Sequence, residues 1–267
     1  MRIGLATSAF PDLDVVSAVK MCLRYSDHVH ISPIYPTVSD AELKELLTLQ
    51  KYFGADFSVH APFPNEGVIA DLGTEKGREM FIRSIDFTNQ ICGDRLVFHT
   101  SAGNQREDMI EHARELSALC EQSDIKACFE NRPEDDALMR TRDDITGFLG
   151  EVPGSYLCFD TSHYYMWKKD LDDLFDTIKT VQDRIGVIHM VDTFRGQDAH
   201  LLPGFGEISM YELAKTLVDV PNIKSIPIVL EDQEPFEYPQ GILNLRHALV
   251  SRKGLIDRNV SAEEEQG

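Results

Sequence analysis

Short apolar runs alternate with longer amphipathic stretches along this chain. The centres of the short runs, such as Val-Phe-His, Ala-Cys-Phe-Glu and Ile-Val-Leu-Glu, are nearly continuous in apolar residues, as parallel strands covered on both faces are. The pattern predicts these strands: Arg2–Thr7, His28–Ser32, Asp56–Ala61, Arg95–Thr100, Lys126–Asn131, Tyr156–Thr161, Gly186–Asp192 and Pro227–Glu231.

The stretches between the predicted strands carry apolar residues at helical spacing with charged residues interleaved. Examples are Asp40–Tyr52, Arg106–Glu121, Asp170–Gln182 and Met210–Val218. Repeated strand–helix alternation of this kind is typical of a closed (β/α)₈ TIM barrel, an α/β fold. An open doubly wound sheet is the alternative, but the first strand–helix turn lacks the Gly-x-Gly-x-x-Gly pattern of dinucleotide-binding folds. We expect a single TIM barrel over residues 1–257 and a flexible C-terminal tail over 258–267.

Composition and charge narrow the classes of partner. A chain of 267 residues can bury the full core of one barrel. Its formal net charge of −19 disfavours non-specific binding to nucleic acids and anionic membranes, and no apolar run approaches the roughly 18 residues of a membrane span.

The cysteines are odd in number and lack a Cys-x-x-Cys pair, so we expect reduced core residues in a cytoplasmic protein. They are Cys22, Cys92, Cys120, Cys128 and Cys158.

Histidine and acidic residues stand at the ends of most predicted strands or just beyond them. In a barrel these strand ends converge on one mouth, where buried charges are unfavourable unless they are paired or bind metal. The candidate ligands are His60, His99, Glu130, Asp160, His163, His189, Asp198, His200 and Glu231. Imidazoles mixed with carboxylates suit zinc, manganese or iron better than calcium or magnesium. His28 and His30 lie in the second strand, are expected to have no acidic side chains near them, and are predicted to be structural.

The runs FDTSH, HMVD, DAH with the following LPGFGEI, and LED resemble the endonuclease IV group (AP endonuclease family 2) of the xylose isomerase-like barrels. The resemblance covers nearly the whole chain in strand order and implies three zinc ions that share nine ligands. Carried over by position, the first zinc is held by His60, His99 and Glu130. The second is held by Glu130, Asp160, His189 and Glu231. The third is held by His163, Asp198 and His200.

The resemblance leaves two enzymatic functions open. One is phosphoester hydrolysis, in which Glu130 or Glu231 would position the attacking water. The other is sugar or sugar-phosphate isomerisation or epimerisation, whose enzymes in this superfamily match the four ligands of the second zinc, with Glu130 and Glu231 as the acid/base pair. A barrel that only binds a ligand or partner is a third class, and the intact ligand set argues against it.

Charge favours the hydrolase. Three carboxylates around one divalent ion leave about −1, which suits a neutral sugar, whereas four carboxylates around three zinc ions leave about +2, which suits a phosphate ester. The one-metal scheme also gives no role to His60, His99, Asp198 and His200.

Few cations surround the predicted mouth, which bears on the substrate. The loop SPIYPTVSD after the second strand has no lysine or arginine. Arg132 and Arg195 are candidate substrate-binding residues, and Phe63 stands where the resemblance places an intercalating aromatic side chain. A small phosphorylated or sugar-like substrate needs only the metals and one or two such donors. Duplex DNA, which requires many phosphate contacts, is the less favoured partner.

Overall fold

The computed structural model describes residues 2–32, 38–62, 72, 74–100, 106–134, 137–220, 223–231 and 238–249. Its strands are β1 (Arg2–Ala6), β2 (His28–Ile31), β3 (Asp56–His60), β4 (Arg95–His99), β5 (Lys126–Glu130), β6 (Tyr156–Asp160), β7 (Ile185–His189), β8 (Asp192–Phe194), β9 (Gln197–Leu201) and β10 (Pro227–Leu230). All of these except β8 and β9 pair in parallel, in the closed order β1-β10-β7-β6-β5-β4-β3-β2. The predicted (β/α)₈ TIM barrel is therefore confirmed.

Helices connect the strands on the outside of the barrel. They are α1 (Val15–Cys22), α2 (Asp40–Phe53), α3 (Glu75–Gln90), α4 (Arg106–Gln122), α5 (Arg142–Glu151), α6 (Thr161–Lys168), α7 (Leu171–Val181), α8 (Met210–Asp219) and α9 (238–249). Polar side chains fix several helix starts: Ser39 and Glu42 form a capping box at α2, where each satisfies a backbone N–H that the helix leaves unpaired. None of the helices in these described ranges is long and apolar enough to cross a membrane.

Two apolar clusters lie on opposite faces of the strands. The large one, between strands and helices, contains Phe57, Phe98 and Phe129. The small one consists of Ala6, Val97, Cys128, Cys158, Val187 and Val229. Because side chains alternate between the two faces of a strand, residues two positions after these small ones share their inward face. The small cluster therefore forms a floor beneath the residues at the strand ends.

Two sequence predictions need adjustment, and others fall outside the described residues. The predicted strand Gly186–Asp192 was too long: β7 ends at His189, and β8 and β9 then form an antiparallel hairpin. Cys92 is exposed, so its assignment to the core was wrong, whereas the other four cysteines are buried. Phe63 and the proposed tail at 258–267 lie outside the described residues, and the domain boundary at 257 stays a prediction.

Candidate metal centre

Glu130, the last residue of β5, is a buried carboxylate that faces several imidazoles. Its Oε2 atom lies 3.2 Å from His60 Nε2 and 3.1 Å from His99 Nε2. Its Oε1 atom lies 3.0 Å from His163 Nδ1, and Oε2 lies 3.6 Å from His189 Nδ1. Strands β3, β4 and β7 and the start of helix α6 thus direct four of the five predicted histidine ligands at one acidic side chain.

The hairpin of β8 and β9 brings two further predicted ligands to this mouth. Asp198 and His200 are two residues apart on β9, so they lie on the same face of the strand. Asp198 Oδ2 lies 3.3 Å from His163 Nε2 and 3.5 Å from His200 Nε2. Ser162 Oγ donates a hydrogen bond of 3.2 Å to Asp198 Oδ1. His163 therefore connects the hairpin to Glu130.

Asp160 and Glu231 complete the network. Asp160, at the end of β6, accepts a 2.7 Å hydrogen bond from the His163 backbone N–H and thereby caps α6. Glu231 directly follows β10, and its Oε2 atom lies 3.3 Å from His189 Nδ1. All nine predicted ligands thus form one connected network, in which each contacts another ligand at 3.7 Å or less. Asp160 joins this network through His163, from whose backbone N–H it also accepts a hydrogen bond. Their role as ligands is a proposal that the contacts support.

The expectation that no acidic side chain lies near the histidines of β2 was wrong for His30. His30 Nε2 lies 3.7 Å from Glu231 Oε1, and its ring packs edge-on against those of His60 and His189. His28 behaves as predicted, because its Nε2 atom lies 2.9 Å from Ser58 Oγ within the barrel interior. The spacing of His28 and His30, two positions apart, was the available signal that both rings share one face.

Backbone carbonyls hold three of the imidazoles, those of His60, His163 and His200, in a defined orientation. His60 Nδ1 donates to the Ala61 carbonyl at 2.7 Å, and His200 Nδ1 donates to the Glu231 carbonyl at 2.7 Å. A carbonyl oxygen can only accept, so Nδ1 carries a proton, and Nε2 is the nitrogen directed at the carboxylates of the mouth. Metal-binding histidines in proteins are oriented by bonds of this kind.

Buried polar atoms without partners test whether a metal ion would fit here. Within the described residues, Asp160 Oδ2, His30 Nε2 and both ring nitrogens of His189 are buried and make no hydrogen bond. Leaving such atoms unsatisfied is unfavourable by about 1–3 kcal/mol each. Groups of residues whose ligand atoms all lie within 4.8 Å of one another are His60/His99/Glu130, Glu130/Asp160/His163, His30/His189/Glu231 and Glu130/Cys158/His189. The donor set therefore fits divalent metals.

Burial and neighbouring charges give the two glutamates opposite protonation tendencies. Burial, with the nearby Glu130 charge, raises the pKa of Glu231 from 4.5 to about 7. Burial alone would also raise the pKa of Glu130, but the facing imidazoles, His99 and His189 foremost, hold it well below 4.5. Burial lowers the pKa of His189 to about 3, so its ring is neutral and able to bind a metal. The centre thus combines an ionised glutamate with one that titrates near neutral pH.

The predicted substrate-binding arginines lie in different settings. Arg132 Nη1 lies 3.3 Å from His99 Nδ1, and its guanidinium pairs with Glu134 at 2.5 Å, so it stands at the edge of the cluster. Arg195 is exposed at the turn of the hairpin, with its guanidinium 4.9 Å from the centre of the Phe194 ring. Arg132 is therefore the better placed of the two to reach a substrate at the cluster.

Two supporting residues were not singled out from sequence. The Asn131 amide accepts a 2.8 Å hydrogen bond from the Asp160 backbone N–H and donates one of 3.0 Å to the Asp160 carbonyl. The Asp192 carboxylate accepts hydrogen bonds of 3.0 and 2.8 Å from the backbone N–H groups of Gly204 and Gly206. In the sequence, Asn131 directly follows Glu130, the last residue of β5. Asp192 is the aspartate of HMVD and lies twelve residues before Gly204.

Comparison with known proteins places this geometry in context. The chain is 26% identical over 211 residues to a Mycobacterium leprae protein named "Probable endonuclease 4", a match that covers 74% of this chain and 79% of the relative. Among solved structures, a D-tagatose 3-epimerase-like protein superposes with a TM-score of 0.83 at 16% identity, over 96% of this chain and 100% of the other. Endonuclease IV from Thermus thermophilus superposes with a TM-score of 0.72 at 18% identity, over 94% of this chain and 100% of the other.

These solved structures share the barrel architecture, and their names include both sugar epimerases and an endonuclease. The sequence model of the family described as "Xylose isomerase-like TIM barrel" matches residues 16–248, which is most of the chain. The protein therefore belongs to the xylose isomerase-like TIM barrel family.

Proposed function

We propose that this protein is a divalent-metal-dependent phosphoester hydrolase that acts on a small substrate of the sugar-phosphate type. The observation that carries the proposal is the contact of Asp198 and His200 with His163, which itself contacts Glu130. Ligand groups for more than one metal ion thus form one network, and a single-metal isomerase has no use for the hairpin residues. The relative named as an endonuclease supports the same chemistry.

The proposed centre holds up to three ions, with zinc expected and manganese or iron as alternatives. The ligand sets are His60, His99 and Glu130 for one ion, Glu130, Asp160, His189 and Glu231 for a second, and His163, Asp198 and His200 for a third. When bound, such ions lower the pKa of water and stabilise the charge that develops on a phosphate. The carbonyl-bound rings of His60 and His200 are already oriented for this role.

The side chains themselves supply the proton transfer and the substrate contacts. Glu130 remains ionised and orients the attacking water, and Glu231 is the other carboxylate at the centre that can take up its proton. Arg132 donates hydrogen bonds to phosphate oxygens from the edge of the cluster, as guanidinium groups commonly do. Arg195 and Phe63 are the further proposed substrate contacts.

A sugar or sugar-phosphate isomerase or epimerase is the second candidate. One observation favours it: Glu130 and Glu231 both lie near the same atom, His189 Nδ1, at 3.6 and 3.3 Å, and have opposite protonation tendencies. One of them could abstract a proton from a sugar carbon while the other returns it. This chemistry needs the second ligand set but not Asp198 and His200.

An assay with zinc- or manganese-loaded protein separates these functions. We expect release of inorganic phosphate from at least one member of a panel of sugar phosphates, and weak or no incision of duplex DNA that contains an abasic site. The reason is the net charge of −19, which leaves few cations to neutralise the phosphates of DNA. Each phosphate that a protein neutralises makes its affinity fall by roughly 0.9 log units per log unit of salt. Chelator-treated protein is the control.

The other outcomes of this assay are equally specific. Efficient incision beside the abasic site that weakens steeply between low and moderate salt would replace the sugar phosphate by DNA as the substrate. Interconversion of free ketoses without phosphate release would overturn the hydrolase proposal in favour of the isomerase.

A further inference from the structure

A connected set of buried polar side chains lies inside the barrel next to Glu231. His28 Nε2 and His30 Nδ1 lie 2.9 and 2.7 Å from the same hydroxyl oxygen, Ser58 Oγ, on the neighbouring strand β3. Gly4 leaves room for the His28 ring, because a Cβ atom there would lie 2.6 Å from His28 Cδ2. The rings of both histidines are fully buried, so these bonds fix the orientation of His30.

The contact with Ser58 decides which nitrogen of His30 is free for other chemistry. Because Nδ1 is engaged by the hydroxyl, Nε2 is the nitrogen directed at the strand ends, and it makes no hydrogen bond within the described residues. The closest acidic atom, Glu231 Oε1, is 3.7 Å away, which is too far for a hydrogen bond. His30 thus presents an unsatisfied, fully buried nitrogen beside two predicted metal ligands, Glu231 and His189.

The separations of these groups match those of ligands that share one ion. Two ligand atoms at about 2.0–2.1 Å from a tetrahedral zinc lie roughly 3.3 Å apart. Glu231 Oε1 lies 3.7 Å from His30 Nε2, the other oxygen, Oε2, lies 3.3 Å from His189 Nδ1, and one ligand atom from each of the three residues lies within 4.8 Å of the others. Two buried imidazoles and the partly buried Glu231 carboxylate therefore surround a position that a direct hydrogen bond does not fill.

We propose that His30 is a further metal ligand, which joins His189 and Glu231 in holding one of the ions, with Ser58 orienting its ring. This proposal rests on the metal centre of the proposed function and extends its ligand set beyond the residues found by resemblance. A neutral imidazole adds a ligand without adding negative charge, so the centre keeps its attraction for an anionic substrate. The additional nitrogen also favours zinc or iron over magnesium and calcium at this position.

Substitution of His30 by asparagine tests the roles of the two ring nitrogens separately. The Asn side-chain amide can reach the position of Nδ1 and still bond to Ser58, but it has nothing at the position of Nε2. We expect His30→Asn to weaken zinc binding by more than about tenfold in competition with a chromophoric chelator, or to lower the zinc content per chain. In cobalt-loaded protein, the visible absorption bands should shift because an imidazole has left the coordination sphere.

His28→Gln is the matched control. His28 is on the same strand, equally buried and bonded to the same hydroxyl, and a Gln amide can take the place of its Nε2 atom. We expect His28→Gln to bind zinc within about twofold of the parent and to leave the cobalt spectrum unchanged. Circular dichroism and thermal unfolding of the metal-free proteins check that both variants are folded.

Several results would overturn the proposal. Parental zinc affinity and an unchanged cobalt spectrum in folded His30→Asn would remove His30 from the ligand set while leaving the rest of the centre intact. Equal losses in His30→Asn and His28→Gln, together with lower unfolding temperatures, would show that the polar set is only a structural support. A parent protein that binds no zinc at all would refute the metal centre itself, which is a distinguishable failure.

Discussion

Glu130→Gln is expected to abolish activity, with a loss in kcat/KM of at least about 10³-fold, or about 4 kcal/mol of transition-state stabilisation. One carboxylate here faces four imidazoles at 3.0–3.6 Å and is the proposed ligand shared by two ions. An amide carries no charge, and its NH₂ group offers a donor where a metal needs an acceptor. The variant should also retain less zinc than the parent.

The substitution keeps the size of the side chain, so the barrel should still form, which circular dichroism can verify. Glu134→Gln is the matched control, because Glu134 is half-exposed and pairs with Arg132 rather than with the imidazoles. We expect the control to keep activity within a few-fold of the parent. Activity of Glu130→Gln within about threefold of the parent, a difference under about 1 kcal/mol, would remove Glu130 from the mechanism.

Asp192→Asn is expected to lower the free energy of unfolding by roughly 3–6 kcal/mol. The buried Asp192 carboxylate accepts backbone hydrogen bonds on both oxygens: Oδ2 from Gly204 and Gly206, and Oδ1 from Thr193 and Ile208. In asparagine one oxygen becomes an NH₂ group, so two backbone donors lose their acceptor. A hydrogen bond to a charged group contributes about 1.5–3 kcal/mol.

The same substitution should weaken binding of the metal that we assign to His163, Asp198 and His200, because Asp192 connects the start of the hairpin to the glycine-rich segment after it. Urea unfolding of metal-free protein measures the stability, and chelator competition measures the metal affinity. Asp176→Asn is the control: Asp176 is exposed and contacts Lys179 at 3.4 Å, so its loss should change stability by less than about 1 kcal/mol. An equally small change in Asp192→Asn would contradict the proposed role of Asp192.

The barrel could be predicted from sequence because its signals are local. Apolar runs mark the strands, and the strands Asp56–Ala61 and Lys126–Asn131 were placed within one residue of their observed ends. The hairpin of β8 and β9 could not be predicted in the same way. Its strands are short and largely polar, and they are held by Asp192 contacts to residues that follow the hairpin in the chain.

Most of the candidate centre could also be predicted from the sequence, because side chains alternate between the two faces of a strand and the strands end at one mouth. His99, Glu130 and His189 each stand two residues after a small floor residue and so share its inward face. The contact of His30 with an acidic side chain was missed because Glu231 is distant in sequence and is brought close only by the order of strands around the barrel. Asn131 was missed because its hydrogen bonds depend on the register between β5 and β6.

The central claim is that this barrel holds more than one metal ion among the strand-end histidines and carboxylates. The most direct test is the number and identity of metal ions per chain, determined by elemental analysis of protein purified without chelator. We expect two or three equivalents of zinc, or of manganese or iron, and a lower content in Glu130→Gln. A single equivalent that is unaffected by replacing Asp198 and His200 would contradict a multinuclear centre, and the absence of any retained metal would contradict the metal centre as a whole.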